Sequence, residues 1–261
     1  MAKPSAEELN RLGVQSLERG EFGLALERFG SAMAADPHNE EYPNNLGMCY
    51  LLAGEPAKAR DFFEQALGLR ETPLYHVNLG VALIRLGNPD GAMQKFKRAL
   101  EMDGRFFDAW YQMGLLYYSA RKFIEARQAW QEAAAIREEP VISSNLGMAE
   151  MELGNKDEAR THFLQAIRLN EGYAQAHFNL GVLEQSLGRD RDAARCYETA
   201  LKIQPENFIP WMNLGIVRER LGEIAGAMEA LEAFLRFVPP GMERQIRDAR
   251  RRLKRLREQN V

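Results

Sequence analysis

One glycine returns through the chain at Gly13, Gly47, Gly80, Gly114, Gly147, Gly181 and Gly215, at intervals of 34, 33, 34, 33, 34 and 34 residues. Twelve residues after each comes an alanine: Ala25, Ala59, Ala92, Ala126, Ala159, Ala193 and Ala227. Seven further on stand Ala32, Ala66, Ala99, Ala133, Ala166 and Ala200, and Phe234 closes that column. A bulky column runs between them: Phe29, Phe63, Phe96, Trp130, Phe163, Tyr197 and Leu231. Four columns in register over seven units mark a tandem array of small supersecondary units.

Each unit carries apolar residues at helical spacing over two stretches of about a dozen residues, the pattern of two amphipathic helices. A second glycine column, Gly20, Gly54, Gly87, Gly154, Gly188 and Gly222, falls between the stretches. The chain there must leave the first helix in a left-handed conformation, which costs glycine nothing. The fourth unit has Arg121 in this place, so a strained or differently shaped turn is expected. Small residues at the first glycine and the alanines allow close helix approach, and the bulky column fills the wedge between hairpins. Pro37, Pro205 and Pro239 are placed to end second helices, and Pro73 and Pro140 to open first ones.

The columns resemble the tetratricopeptide repeat, with a small residue at place eight, alanines at places twenty and twenty-seven, and proline near thirty-two. Seven repeats are read, 6–39, 40–72, 73–106, 107–139, 140–173, 174–207 and 208–241, forming an array over 1–241. The resemblance implies an all-α fold, a right-handed superhelical solenoid of seven helix-turn-helix hairpins with a groove lined by the first helices. Residues 242–261 continue as a basic amphipathic helix with Ile246, Ala249, Leu253 and Leu256 on one side, suited to cap the array. That segment holds eight basic and three acidic residues, net +5; the whole chain is −3, which leaves −8 elsewhere. Repeats five to seven also echo two to four, as in Asn45-Leu46-Gly47-Met48 and Asn145-Leu146-Gly147-Met148.

No arrangement of residues suggests catalysis. His38, His76, His162 and His177 lie in different hairpins or junctions, and none is paired at metal-ligand spacing. Every recurring glycine belongs to the repeat, so no phosphate-cradling loop is left over. Neither enzyme activity, nor a cofactor, nor a bound metal is expected. Two distant cysteines, Cys49 and Cys196, give no disulfide framework and point to a reducing, cytoplasmic setting. The first eight residues turn acidic before any apolar core, unlike a secretory signal, and no stretch is apolar enough for membrane insertion.

The expected function is therefore binding. Place six of the repeats reads Arg11, Asn45, Asn78, Gln112, Asn145, Asn179 and Asn213. A carboxamide has one acceptor oxygen and two donor hydrogens, so it can read the backbone of an extended peptide. This column is similar to the asparagine ladder in the repeat domain of O-linked N-acetylglucosamine transferases. Asparagine at this place also serves local helix contacts, so two readings stand side by side. Arg11 breaks the column and either ends the ladder or meets a carboxylate. The transferase activity itself is not expected to carry over. Place nine, Val14, Met48, Val81, Leu115, Met148, Val182 and Ile216, is apolar and is expected to pack between adjacent repeats more than to floor the groove, and Leu51, Tyr111, Tyr118, Met151, Phe178 and Met212 are neighbouring groove positions. Of these, Tyr111, Phe178 and Met212 are the expected peptide contacts.

A protein or peptide ligand is thus the expected partner, held by an adaptor or scaffold. The chaperone-tail clamp of related domains needs lysine at place five and asparagine at place nine of repeat one; here stand Asn10 and Val14, with Leu74 and Asn78 in repeat three. An RNA-binding array would need basic residues along the inner face, and an acidic array argues against nucleic acid. Self-association into a homo-oligomer through an exposed apolar groove is the other alternative.

Overall fold

The computed structural model describes residues 4–259; Met1–Lys3, at the start of the segment read as no secretory signal, and Asn260–Val261, at the end of the tail, lie outside the described residues. The fold is all-α, with fifteen helices and no strand among those residues. The chain divides into two compact units, with the boundary in sequence between Ile136 and Arg137. Unit 1 holds α1 (Ala6–Glu18), α2 (Phe22–Ala35), α3 (Glu41–Leu52), α4 (Pro56–Leu69), α5 (Pro73–Arg85), α6 (Pro89–Met102), α7 (Phe107–Ser119) and α8 (Phe123–Ile136). Unit 2 holds α9 (Pro140–Glu152), α10 (Lys156–Leu169), α11 (Ala174–Ser186), α12 (Asp190–Ile203), α13 (Phe208–Arg220), α14 (Ile224–Phe237) and α15 (Glu243–Gln259).

Within each unit consecutive helices form antiparallel hairpins, and each second helix also packs on the first helix of the next hairpin. Local chemistry sets the helix starts. Ser5, Thr72 and Asn88 accept backbone N–H groups of Glu8, Tyr75 and Gly91, while Pro56, Pro73, Pro89 and Pro140 occupy first-turn positions that need no donor. At the hairpin turns the recurrent glycines have φ between 73° and 85°, and Arg121 joins them at 58°. Its turn keeps the shape of the others: Lys122 N–H donates to the Tyr117 carbonyl at 2.9 Å, as Glu21 does to Ser16. Of the two expectations for this turn, strain is the one realised. The Arg121 guanidinium lies 5.7 Å from the centre of the Phe123 ring, a partial compensation.

The interior of each hairpin explains the glycine column at place eight. A Cβ on Gly80 would stand 2.4 Å from the Phe96 ring, and one on Gly147 would stand 2.6 Å from Phe163. The bulky column therefore seats first on the glycine of its own hairpin. It also reaches the next one: Phe29 clusters with Leu46 and Cys49, and Phe163 with Leu180 and Leu183. In the fourth repeat, Trp130 takes the larger space and donates its indole N–H to the Tyr111 carbonyl at 3.3 Å. Helix α15 ends unit 2 as a cap, with Ala249, Leu253 and Leu256 buried against Ala227, Leu231 and Phe234 of α14.

Candidate functional site

The place-six carboxamides do not simply face outward. In unit 1, Asn45 donates from Nδ2 to Oδ1 of Asn10 at 2.9 Å, and Asn78 donates to Oδ1 of Asn44 at 2.8 Å. In unit 2, Asn179 donates to the Ser144 hydroxyl at 3.0 Å and accepts from Gln175 at 2.9 Å. Each cross-repeat bond joins place six of one first helix to place five of the helix before it. Neighbouring first helices are thus tied by a polar zipper in the same column that resembles a peptide-binding ladder.

Burial divides the column. Asn45, Asn78, Gln112 and Asn213 are half-buried, whereas Asn145 and Asn179 are only 9% and 7% exposed. Arg11 is exposed. Asn213 hydrogen-bonds with the Tyr197 hydroxyl of the preceding hairpin; Tyr197 in turn donates to Gln185 at 2.6 Å. Asn145 is different: its Nδ2 is buried and has no hydrogen-bond partner among the described residues. Place five is divided as well: Asn44, Val77 and Ser144 are buried, while Tyr111, Phe178 and Met212 at the same place are half-buried. Asn10, Asn44, Ser144 and Gln175 are the partners that reading place six alone misses. For Asn10, Asn44 and Ser144 the signal available was a polar side chain 34 or 35 residues before the carboxamide, and for Gln175 one a single helical turn before it.

The aromatic and thioether contacts are half-buried in their own units. Tyr111 stacks on Phe107 with ring centres 6.2 Å apart, and Phe178 tilts against Tyr197 at 5.9 Å. Met212 lies in a cleft beside α15. Place nine is partly open: Val14 and Leu115 are exposed, and Met48, Val81, Met148, Val182 and Ile216 are half-buried. Unit 1 therefore brings together Arg11, Asn45, Asn78, Tyr111 and Gln112 on its first helices, and unit 2 does the same for Asn145, Phe178, Asn179, Met212 and Asn213.

The remaining chemistry is quiet. Burial pushes the thiols of Cys49 and Cys196 up to about 11, so both stay protonated and poorly nucleophilic. Burial also lowers the His162 pKa. Among the described residues, no group of three or more His, Cys, Asp or Glu is placed to hold a metal ion, and no helix is long and apolar enough to cross a membrane.

A probable UDP-N-acetylglucosamine–peptide N-acetylglucosaminyltransferase SPINDLY of Hordeum vulgare is 29% identical over 136 residues, 48% of this chain and 14% of that protein. The BBSome complex member BBS4 of Bos taurus is 30% identical over 98 residues, 38% of this chain and 19% of that protein. The chain thus spans less than a fifth of either relative's length. Among solved structures, a tetratricopeptide repeat protein from Parabacteroides merdae superposes with a TM-score of 0.69 at 20% identity, over 96% of this chain and 98% of that one, a likeness of fold. Sequence patterns described as tetratricopeptide repeat match residues 16–76, 73–106, 138–206 and 183–241. Hairpins closed by a glycine against an aromatic ring, repeated at this period and matched over most of the chain, have one meaning: the chain belongs to the tetratricopeptide-repeat family.

Proposed function

We propose that this protein is an interaction scaffold that holds an extended segment of a partner protein on the faces made by its first helices. Tetratricopeptide-repeat proteins generally act as protein-interaction scaffolds. The observation that carries the finer reading is the zipper itself. An asparagine side chain has two N–H donors, and the cross-repeat bond of Asn45 or Asn78 employs one. The other N–H remains, on a carboxamide whose rotamer is already fixed. A partner backbone then meets pre-oriented groups and pays less ordering entropy.

In unit 1 the half-buried rungs Asn45, Asn78 and Gln112 are the ones within reach of a ligand, and in unit 2 Asn213 is. At about 0.5–1.5 kcal/mol each, the three of unit 1 contribute on the order of 1.5–4.5 kcal/mol before ordering costs. Tyr111, Phe178 and Met212 add apolar contact, and half-buried thioethers tolerate varied side chains. The strongly buried Asn145 and Asn179 serve the joint between helices more than the ligand. The role is binding, with no step of chemistry assigned to the chain.

The test starts from peptides selected on the wild-type chain from a random dodecamer display library. Asn45→Ala with Asn78→Ala is expected to weaken the selected peptides about fivefold or more, with helicity retained. Methylating alternate backbone nitrogens of the peptide is expected to do the same. Undiminished affinity in both arms removes the carboxamide reading, and a library that yields no binder removes the extended-segment reading.

A further inference from the structure

Helix α15 carries eight basic residues, and the structure separates those already engaged from those left idle. Arg252 bridges Asp248 at 3.0 Å and Glu219 at 2.8 Å. Arg255 also binds Glu219, Arg257 binds Glu232 at 2.9 Å, Arg251 binds Asp248 at 2.5 Å, and Lys254 lies 4.0 Å from Glu258. Arg244, Arg247 and Arg250 make no ion pair among the described residues. All three are exposed.

Arg244 and Arg247 do not project at random. With Arg251 and Gln245 they line a cleft of about 790 Å³ whose other wall is Met212 of α13. Asp248 is the one acid in the lining, and it is occupied by Arg251 and Arg252. Three guanidiniums against one carboxylate leave the cleft at about +2, and the amino-terminal turn of α15 opens beside it, adding the positive end of a helix dipole. The volume lies within the usual range for a ligand site. Residues 1–241 carry −8 against +5 for residues 242–261, so an anionic segment is drawn to α15.

We propose that this cleft takes an acidic peptide segment of a partner protein, with carboxylates between Arg244 and Arg247 and an apolar side chain on Met212. Guanidinium forks match carboxylates in bidentate geometry, and the thioether gives the apolar neighbour a soft wall. Single-stranded nucleic acid is held by aromatic platforms as well as by charge, and the lining has no aromatic ring among the described residues. A concave site also fits a narrow chain better than the plane of a bilayer. The proposal involves α13 and α15 alone and shares only Met212 with the carboxamide reading, none of whose carboxamides lines this cleft.

Fluorescence polarisation on the full chain tests it, with a labelled dodecamer of repeated Glu-Asp-Leu as probe. Comparison probes are the same peptide with Gln and Asn for the acids, an oligouridine of equal length, and phosphatidylserine vesicles. The acidic peptide is expected to bind, and Arg244→Glu with Arg247→Glu to weaken it about tenfold or more. Arg250→Glu reverses an equally idle arginine that lines a different cleft with Glu232 and Leu235, and is expected to change binding less than about twofold. Circular dichroism checks folding, and Arg244→Gln with Arg247→Gln replaces the reversal if helicity falls. No binding of the acidic peptide, equal losses in the two charge-reversed variants, or tighter binding of the amide peptide, RNA or vesicles overturns the proposal. Because the acidic probe and the displayed peptides are different ligands measured separately, either reading can fail alone.

Discussion

Place eleven of the repeats separates the two units. In unit 1 it holds Ser16, Tyr50, Leu83 and Tyr117; in unit 2 it holds Glu150, Glu184 and Arg218. Tyr50 stacks on Phe62 with ring centres 5.4 Å apart, and Leu83 and Tyr117 join apolar clusters. Ser16 is polar but neutral, and accepts from Arg28. Glu184, only 1% exposed, receives Arg160 at 2.7 Å from the preceding hairpin and Arg189 at 3.2 Å from its own turn. Arg218 reaches Glu198 of the preceding hairpin at 2.8 Å and the Gly226 carbonyl at 3.1 Å. Glu150 accepts from Asn155 at 2.6 Å. One backbone position thus tolerates either an apolar plug or a partly or fully desolvated charge, provided the charge has partners from neighbouring segments.

The two solutions are not equivalent under perturbation. A buried pair gains little over an apolar replacement, yet is costly to break from one side. The largest expected effect is therefore Arg160→Ala with Arg189→Ala, which strands the Glu184 carboxylate. A loss of about 3 kcal/mol is expected, at the low end for buried pairs because both arginines are half-exposed. Urea unfolding measures it, and adding Glu184→Leu should recover most of the loss. No recovery would mean that the arginines act through packing rather than charge.

Next come Gly80→Ala and Gly147→Ala, which press a methyl into Phe96 and Phe163 in units 1 and 2. Each is expected to cost about 1–3 kcal/mol, and the two costs should agree within about 0.5 kcal/mol. A large inequality would show that the units differ inside their hairpins and not only at the joints between them. A smaller change of opposite sign is expected for Arg121→Gly. Relief of the left-handed backbone, less the lost contact with Phe123, should stabilise unit 1 by about 0.5–1 kcal/mol in the same assay.

The smallest expected effect is a split in acid sensitivity. Burial lowers the His162 pKa in unit 2, so the unfolded chain takes up that proton first and stability falls as pH drops below about 6.5. In unit 1, hydrogen bonds from Arg98 and then His76 hold Glu71 at about 2 against an ordinary 4.5. Its contribution is present above pH 4.5 and is lost as pH falls toward 2. Hydrogen exchange resolved by segment should show α9 and α10 loosening between pH 7 and 5.5 while α4–α6 hold, and His162→Gln should abolish the difference. Simultaneous loosening of both units would remove the assignment to His162.

The sequence alone determined the period, the hairpin, the turn and the cap. Those features depend on contacts between residues a few to twenty positions apart, and such contacts repeat with the chain. Gly80 against Phe96 is legible because one residue must be small where the other is large. Arg121 was legible as an exception for the same reason, since its neighbours in the column are glycines. What only the tertiary structure decided is how much of each side chain is left for a ligand. Place six reads equally as an open ladder or as local helix contacts until Asn44 and Ser144 are seen accepting from the next repeat. Place eleven reads as an unremarkable mixture until Glu184 is found closed in by Arg160 and Arg189. The tail reads only as net basic until Glu219 and Asp248 are seen to neutralise part of it and leave Arg244 and Arg247 idle at a cleft. In each case the partner comes from another helix, and its choice depends on side-chain reach and desolvation, which no column of letters records.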